Sequence, residues 1–184
     1  MLLFAFFFVR LGQAMPEEAA LAVGDWVFRA GTGRESALIR HLSGSAWSHV
    51  GVVVAVVPEV RIVHATTDDD PARPNQVIAS AYADFAALSL AGEVAVARPL
   101  FLDAQERLSL AQAVEARLGE AFVLVAKQDG DARMPRYCTT IVADALQALR
   151  PQLVLRWQAV DFPFFSGDYL FPQALADVAG LQWL

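Results

Sequence analysis

Residues 47–57 read Trp47-Ser48-His49-Val50-Gly51-Val52-Val53-Val54-Ala55-Val56-Val57. β-Branched and apolar residues fill both alternating positions, the pattern of a strand covered on its two faces. The stretch is therefore expected to run through the centre of a sheet. Pro58-Glu59 follows as a turn, and Val60 to Ala65 reads as the returning strand. Such a hairpin brings His49, at the entrance of the first strand, toward His64 near the end of the second.

Elements are legible on both sides of the hairpin. Upstream, Gly24-Asp25 reads as a turn into a short strand, Trp26-Val27-Phe28-Arg29. Residues 35–42 carry Leu38, Ile39 and Leu42 at helical spacing, and Gly44 ends that segment. Downstream, the polar stretch Thr66 to Pro74 reads as a loop, and strands are expected at Gln76–Ser80 and Glu93–Arg98. Asp103 with Glu106 three residues on marks a helix start, which should run to about Leu118 with Gly119 as its stop. A last long helix is expected from Tyr137 or Cys138 to Leu149, ended by Arg150-Pro151. Its apolar stripe is Cys138, Ile141, Val142, Ala145, Leu146 and Leu149, so the thiol faces the sheet from the first turn. The aromatic, proline-containing segment Trp157 to Leu184 is expected to cap the core, and no chemistry is assigned to it.

Composition limits the classes of function. The chain has 184 residues, 56% hydrophobic and 18% charged, which suits one folded domain rather than disorder. Fourteen Lys and Arg against 20 Asp and Glu give a net charge of −6 with no basic stripe, so nucleic acid is not an expected partner. The single cysteine, Cys138, excludes an internal disulfide and a cluster of thiolate metal ligands. At the N-terminus the apolar run Leu2 to Val9 is too short to span a bilayer, and Gly12 and Ala14 resemble a signal-peptidase site. Residues 1–14 are expected to be a signal peptide or tail ahead of a domain over 15–184, with no membrane span in the mature chain. Export follows if the leader is cleaved, and a cytoplasmic location otherwise.

Three residues can carry chemistry. A thiol at a helix N-terminus lies near the positive end of the helix dipole and near unpaired amides, which favour the thiolate. A neutral imidazole such as His49 is the usual partner that takes a proton from Ser or Cys. Gly51, two residues on and on the same face, lets another element approach closely. A third polar group would hold the imidazole ring; His64 is one candidate, and Asp68, Asp69 and Asp70 are rivals in a loop expected to be solvated. His41, on the exposed side of its helix, is expected to be uninvolved. The spacing of the two strand histidines and the cysteine matches no compact zinc motif, and Gly31 and Gly33 make no phosphate loop. No metal or organic cofactor is expected.

Taken together, Gly24-Asp25-Trp26-Val27-Phe28-Arg29, then Trp47-Ser48-His49-Val50-Gly51-Val52-Val53, then Ile62-Val63-His64-Ala65, and finally Tyr137-Cys138-Thr139-Thr140-Ile141-Val142 resemble the permuted NlpC-type papain-like amidases, the YaeF/YiiX group. The resemblance covers roughly residues 24 to 149. It implies an α+β, circularly permuted papain-like fold, with an antiparallel sheet packed against helices in a single domain. It also implies that Cys138 is the nucleophile, His49 the base that accepts and then returns the proton, and His64 the group that orients His49. Tyr137, Asp25, Trp47 and Ser48 are expected to line the site. The family order of histidine before cysteine is shared by the lecithin:retinol acyltransferase relatives, whose third residue is also a histidine. The leading expectation is hydrolysis of an amide bond in a small peptide or cell-wall fragment. Acyl transfer or cleavage on a lipid amide or ester is the alternative, and a catalytically silent binding module on the same fold is the second.

Overall fold

In a computed structural model the chain is described over residues 15–126, 135–162 and 165–184, so the expected leader at residues 1–14 lies outside the described residues. The β-branched run forms the strand it predicts. β1 (Trp26–Gly31), β2 (His49–Ala55), β3 (Arg61–Thr66), β4 (Gln76–Ala81), β5 (Ala91–Pro99) and β8 (Leu181–Trp183) form one six-stranded sheet in the order β4-β3-β2-β1-β5-β8. Every pairing in it is antiparallel. A separate hairpin pairs β6 (Gln158–Phe162) with β7 (Phe165–Tyr169).

The alternation of each strand sorts side chains onto two faces. One face carries Phe28, Val50, Val52, Val63 and Val77 against α3 (Ala104–Glu115) and α4 (Cys138–Leu149), which contribute Leu110, Val114, Ile141, Val142 and Leu146. On the other, Val27, Val53, Ile62 and Val96 are covered by Leu21, Val60, Tyr82 and Phe85. Tyr82 and Phe85 belong to α2 (Tyr82–Phe85), a short helix that the sequence does not signal. The chain is thus an α+β protein whose long helices share one side of the sheet.

Local rules account for the ends of these elements. α1 (Arg34–Ser43) stops at Gly44, whose φ of 63° is the left-handed conformation that glycine adopts without steric cost. α3 opens on a reciprocal cap: Asp103 Oδ1 accepts from the Glu106 amide at 2.8 Å, and Glu106 Oε2 accepts from the Asp103 amide at 2.9 Å. It ends at Glu115, short of the expected Leu118. α4 begins at Cys138, and the Thr140 side-chain oxygen accepts from the Tyr137 amide at 2.9 Å. After α4 the chain is more ordered than an aromatic cap requires: β6 and β7 pair, α5 (Pro172–Ala176) follows, and β8 joins the sheet edge beside β5. Among the described residues no helix is long and apolar enough to cross a membrane.

Candidate active site

His49 is the first residue of β2, and its antiparallel partner on β1 is Arg29. Both side chains lie on the Phe85 face of the sheet. His64 stands on β3 on that same face, and its Nδ1 is 2.9 Å from His49 Nε2. The other nitrogen of His64, Nε2, meets Ser80 Oγ on β4 at 3.0 Å. Three neighbouring strands therefore carry one hydrogen-bonded line, Ser80 to His64 to His49. The Phe85 ring packs against both imidazoles, 5.6 Å from His49 and 5.0 Å from His64 between centroids.

The thiol approaches β2 where that strand leaves its pairing with β3. Pairing of β2 with β3 runs from Val52↔Val63 to Ala55↔Arg61, so His49 to Gly51 begin β2 outside the ladder. That leaves the Val50 amide for the Cys138 sulfur, which accepts from it. The Thr139 amide also donates to the sulfur, and the Thr139 hydroxyl stands 3.7 Å away. Cys138 is only 7% exposed, yet it lines a cavity of about 670 Å³ together with His49, Arg29, Asp69, Tyr137 and Thr139.

Burial sets the resting charges. Desolvation, the Arg29 guanidinium and His64 hold His49 well below the ordinary imidazole range. His64 is lowered to about 3, by burial first and then by Arg29 and Arg73. Burial pushes the Cys138 thiol up, opposed by its hydrogen bonds from Thr139 and Val50 and by the charge of Arg29. A neutral thiol and a neutral imidazole lining one cavity are the resting state this predicts. The helix N-terminus alone suggests a depressed thiol; desolvation outweighs it here.

The remaining expected residues divide. Tyr137 lines the cavity, and its hydroxyl accepts from the Leu170 amide at 2.8 Å. Ser48 also lines it, although its oxygen accepts from the Gly31 amide at 2.8 Å and so holds the irregular end of β1. Trp47 is a correction: it is buried in the opposite core, against Phe28 at 5.9 Å and stacked on Trp183 at 6.3 Å. Asp25 is another. Fully buried before the far end of β1, it takes two 2.8 Å hydrogen bonds from Arg98 and one of the same length from the Ala22 amide, so it ties chain segments together away from the cavity.

The acidic loop also departs from expectation. Asp69 is half-buried with its carboxylate against Arg29, Oδ2 lying 2.7 Å from Nη2. Asp70 pairs with Arg73 at the surface, and Asp68 accepts from the Thr67 hydroxyl at 3.1 Å. His41 is exposed on α1. Sequence reasoning assigns no role to Arg29 or Ser80; the signal for Arg29 was a charged residue in an otherwise apolar strand at the sheet centre.

No protein-family model and no curated protein matches the chain. Among solved structures it is similar to the metalloprotein YiiX from Escherichia coli O157:H7, at 20% identity and a TM-score of 0.66. The match covers 88% of this chain and 95% of that one. At that identity the likeness carries the fold: a six-stranded antiparallel sheet against helices, of the YiiX type.

Proposed function

We propose that this YiiX-like chain is a thiol-dependent hydrolase in which Cys138 attacks an acyl carbon, His49 carries the proton and His64 orients His49. The observation behind the reading is that thiol and imidazole share the wall of one cavity while the far nitrogen of His49 is already taken by His64. A neutral base is useful only if it stays neutral, and burial beside Arg29 favours that. The thiol is raised rather than depressed, so its proton moves to His49 as the sulfur attacks, without a preformed ion pair.

In the first half-reaction the Cys138 S–H proton goes to His49 and a C–S bond forms to the carbonyl carbon. The oxyanion is met by backbone amides at the start of α4. Collapse breaks the bond to the leaving group, which takes the proton from His49, and a thioester remains on Cys138. Water then gives its proton to His49 and attacks the thioester; the acid departs and the thiol is restored.

An amide in a peptide or cell-wall fragment is the leading substrate. A second reading, acyl chemistry on a lipid amide or ester, is favoured by the cavity's apolar walls of Leu38, Ile39, Leu90, Phe122, Leu124 and Phe171. Metal plays no part in either. Ligand atoms of His49, His64 and Asp69 lie within 4.8 Å of one another, but the Asp69 oxygen is already ion-paired with a buried guanidinium, which makes the set a poor fit for a dication.

Cys138→Ala is the direct test. The variant should stay folded, lose turnover by about a thousandfold or more, and lose labelling by a thiol-directed probe. Intact mass after incubation with peptidoglycan fragments or with phospholipid vesicles separates the two substrate classes, by which acyl group is found on Cys138 in the wild type. Full activity in the variant would refute the assignment, and ligand binding without any acyl-enzyme would favour a silent binding module.

A further inference from the structure

We infer that Arg29 is the resident cation of the imidazole site: it occupies the place a divalent metal would take beside His49, His64 and Asp69, and it acts as a positioning residue for His49. The role toward His49 rests on the thiol-hydrolase reading, whereas the exclusion of metal does not.

Arg29 stands in the middle of the sheet and is 5% exposed. A buried guanidinium is retained only where charge and hydrogen bonds offset its desolvation. Here Nη2 lies 2.7 Å from Asp69 Oδ2, and Nη1 donates to the Phe85 carbonyl at 3.1 Å. The planar group also sits 4.8 Å from the centre of the Phe85 ring, a cation over an aromatic face. Its Nε is buried without a hydrogen-bond partner, so a merely structural role leaves part of the group unexplained.

Two imidazoles and a carboxylate form a donor set that transition metals accept. Three features oppose their use. The nearest nitrogens of His49 and His64 are bonded to each other, and metal would break that bond. Asp69 Oδ2 stands 3.8 Å from His64 Nδ1 but closer to Arg29, which already neutralises its charge. A dication would also face a guanidinium across a few ångströms of low-dielectric interior.

The same charge suits thiol chemistry. Groups near His49 are Arg29 from β1, His64 from β3 and Asp69 from the loop after β3; Arg73 of that loop bears on His64, Cys138 of α4 lines the same cavity, and α2 presents only the uncharged Phe85. Of the two cations, Arg29 is the strand partner of His49, and it opposes a second positive charge on the ring.

The test titrates the full-length chain with Zn²⁺ alone, in competition with a chromophoric chelator, and in parallel follows the pH dependence of Cys138 alkylation by iodoacetamide. Wild type should show no zinc that depends on His64; zinc that survives His64→Ala lies elsewhere and agrees with the proposal. Arg29→Met should gain one zinc with an affinity about tenfold or more above wild type, and the double change Arg29→Met with His64→Ala should lose it. The alkylation midpoint should move to higher pH in Arg29→Met and return in Arg29→Lys, a shift that loss of packing alone does not produce. One zinc on wild type that His64→Ala or Asp69→Asn removes would overturn the inference. So would a folded Arg29→Met with neither the zinc nor the shift. If Arg29→Met does not fold, the wild-type titration and the alkylation profile of Arg29→Lys decide. An inert Cys138 would sink the hydrolase reading and leave the zinc result standing.

Discussion

The hydroxyl of Ser80 is coupled, through His64, to the nitrogen of His49 that can receive a proton. A serine oxygen both donates and accepts, while each neutral imidazole has one N–H and one lone pair. If Ser80 accepts from His64 Nε2–H, then His64 Nδ1 accepts from His49 Nε2–H, and the lone pair of His49 is left on Nδ1. The reverse polarity leaves that Nδ1 protonated and useless as a base. The 3.0 Å and 2.9 Å contacts thus couple the tautomer of His49 to the direction of the Ser80 hydroxyl, through His64. Ser80→Ala removes the far acceptor and should lower kcat/KM by up to about tenfold, the scale of one lost hydrogen bond, with KM little changed. Steady-state kinetics on whichever substrate acylates Cys138 will read this. An unaltered kcat would mean that the line of hydrogen bonds does not govern the base.

At the scale of elements, the β2–β3 hairpin depends on Gly51. A Cβ at that position would fall 2.5 Å from Ile62 Cγ2, 3.1 Å from the Val63 carbonyl oxygen and 3.2 Å from His64 Cβ. Gly51→Ala should therefore push β3 away, destabilise the fold by about 1–3 kcal/mol, and weaken the His49–His64 contact. Urea unfolding followed by fluorescence measures the first effect and the rate of substrate turnover the second; wild-type values for both would show that β3 yields freely. This hairpin is legible in the sequence because its pattern is local: a continuous β-branched apolar run, a proline turn, a glycine at the crossing. The same holds for α3, with its Asp103 and Glu106 cap, and for α4, with its stripe from Cys138. The C-terminal elements are not legible, since β6, β7, α5 and β8 have five residues or fewer, and β8 finds its partner in the distant β5. Neighbours in sequence also mislead about the site. Trp47 is close to His49 along the chain but packs in the core on the α4 side, and Asp25 lies before the end of β1 remote from Arg29. The pairing of Asp69 is invisible for the converse reason, because its partner Arg29 lies far away along the chain.

The neutrality that suits His49 as a base links the whole molecule to pH. His64 is fully buried and lowered to about 3, whereas in the unfolded chain an imidazole titrates near 6.5. Its folded value is depressed, so between these two values the unfolded state binds the extra proton and stability falls as pH falls. The contribution is whole above about pH 6.5 and is lost on the way down toward 3. At about 1.4 kcal/mol per pH unit, His64 alone should cost the fold roughly 2 kcal/mol between pH 7 and pH 5, a large part of the ~5–15 kcal/mol that holds a domain together. His49 is shifted in the same direction and adds to the slope. Carboxylates interfere little in this window, where ordinary Asp and Glu remain ionised. Urea midpoints at pH 7, 6 and 5 should therefore decline steadily in wild type, and more shallowly in His64→Asn, which lacks one of the two buried titrating rings. Equal midpoints across that range in wild type would mean that the imidazoles take up protons in the folded state, and the neutral pair on which the catalytic reading depends would not exist.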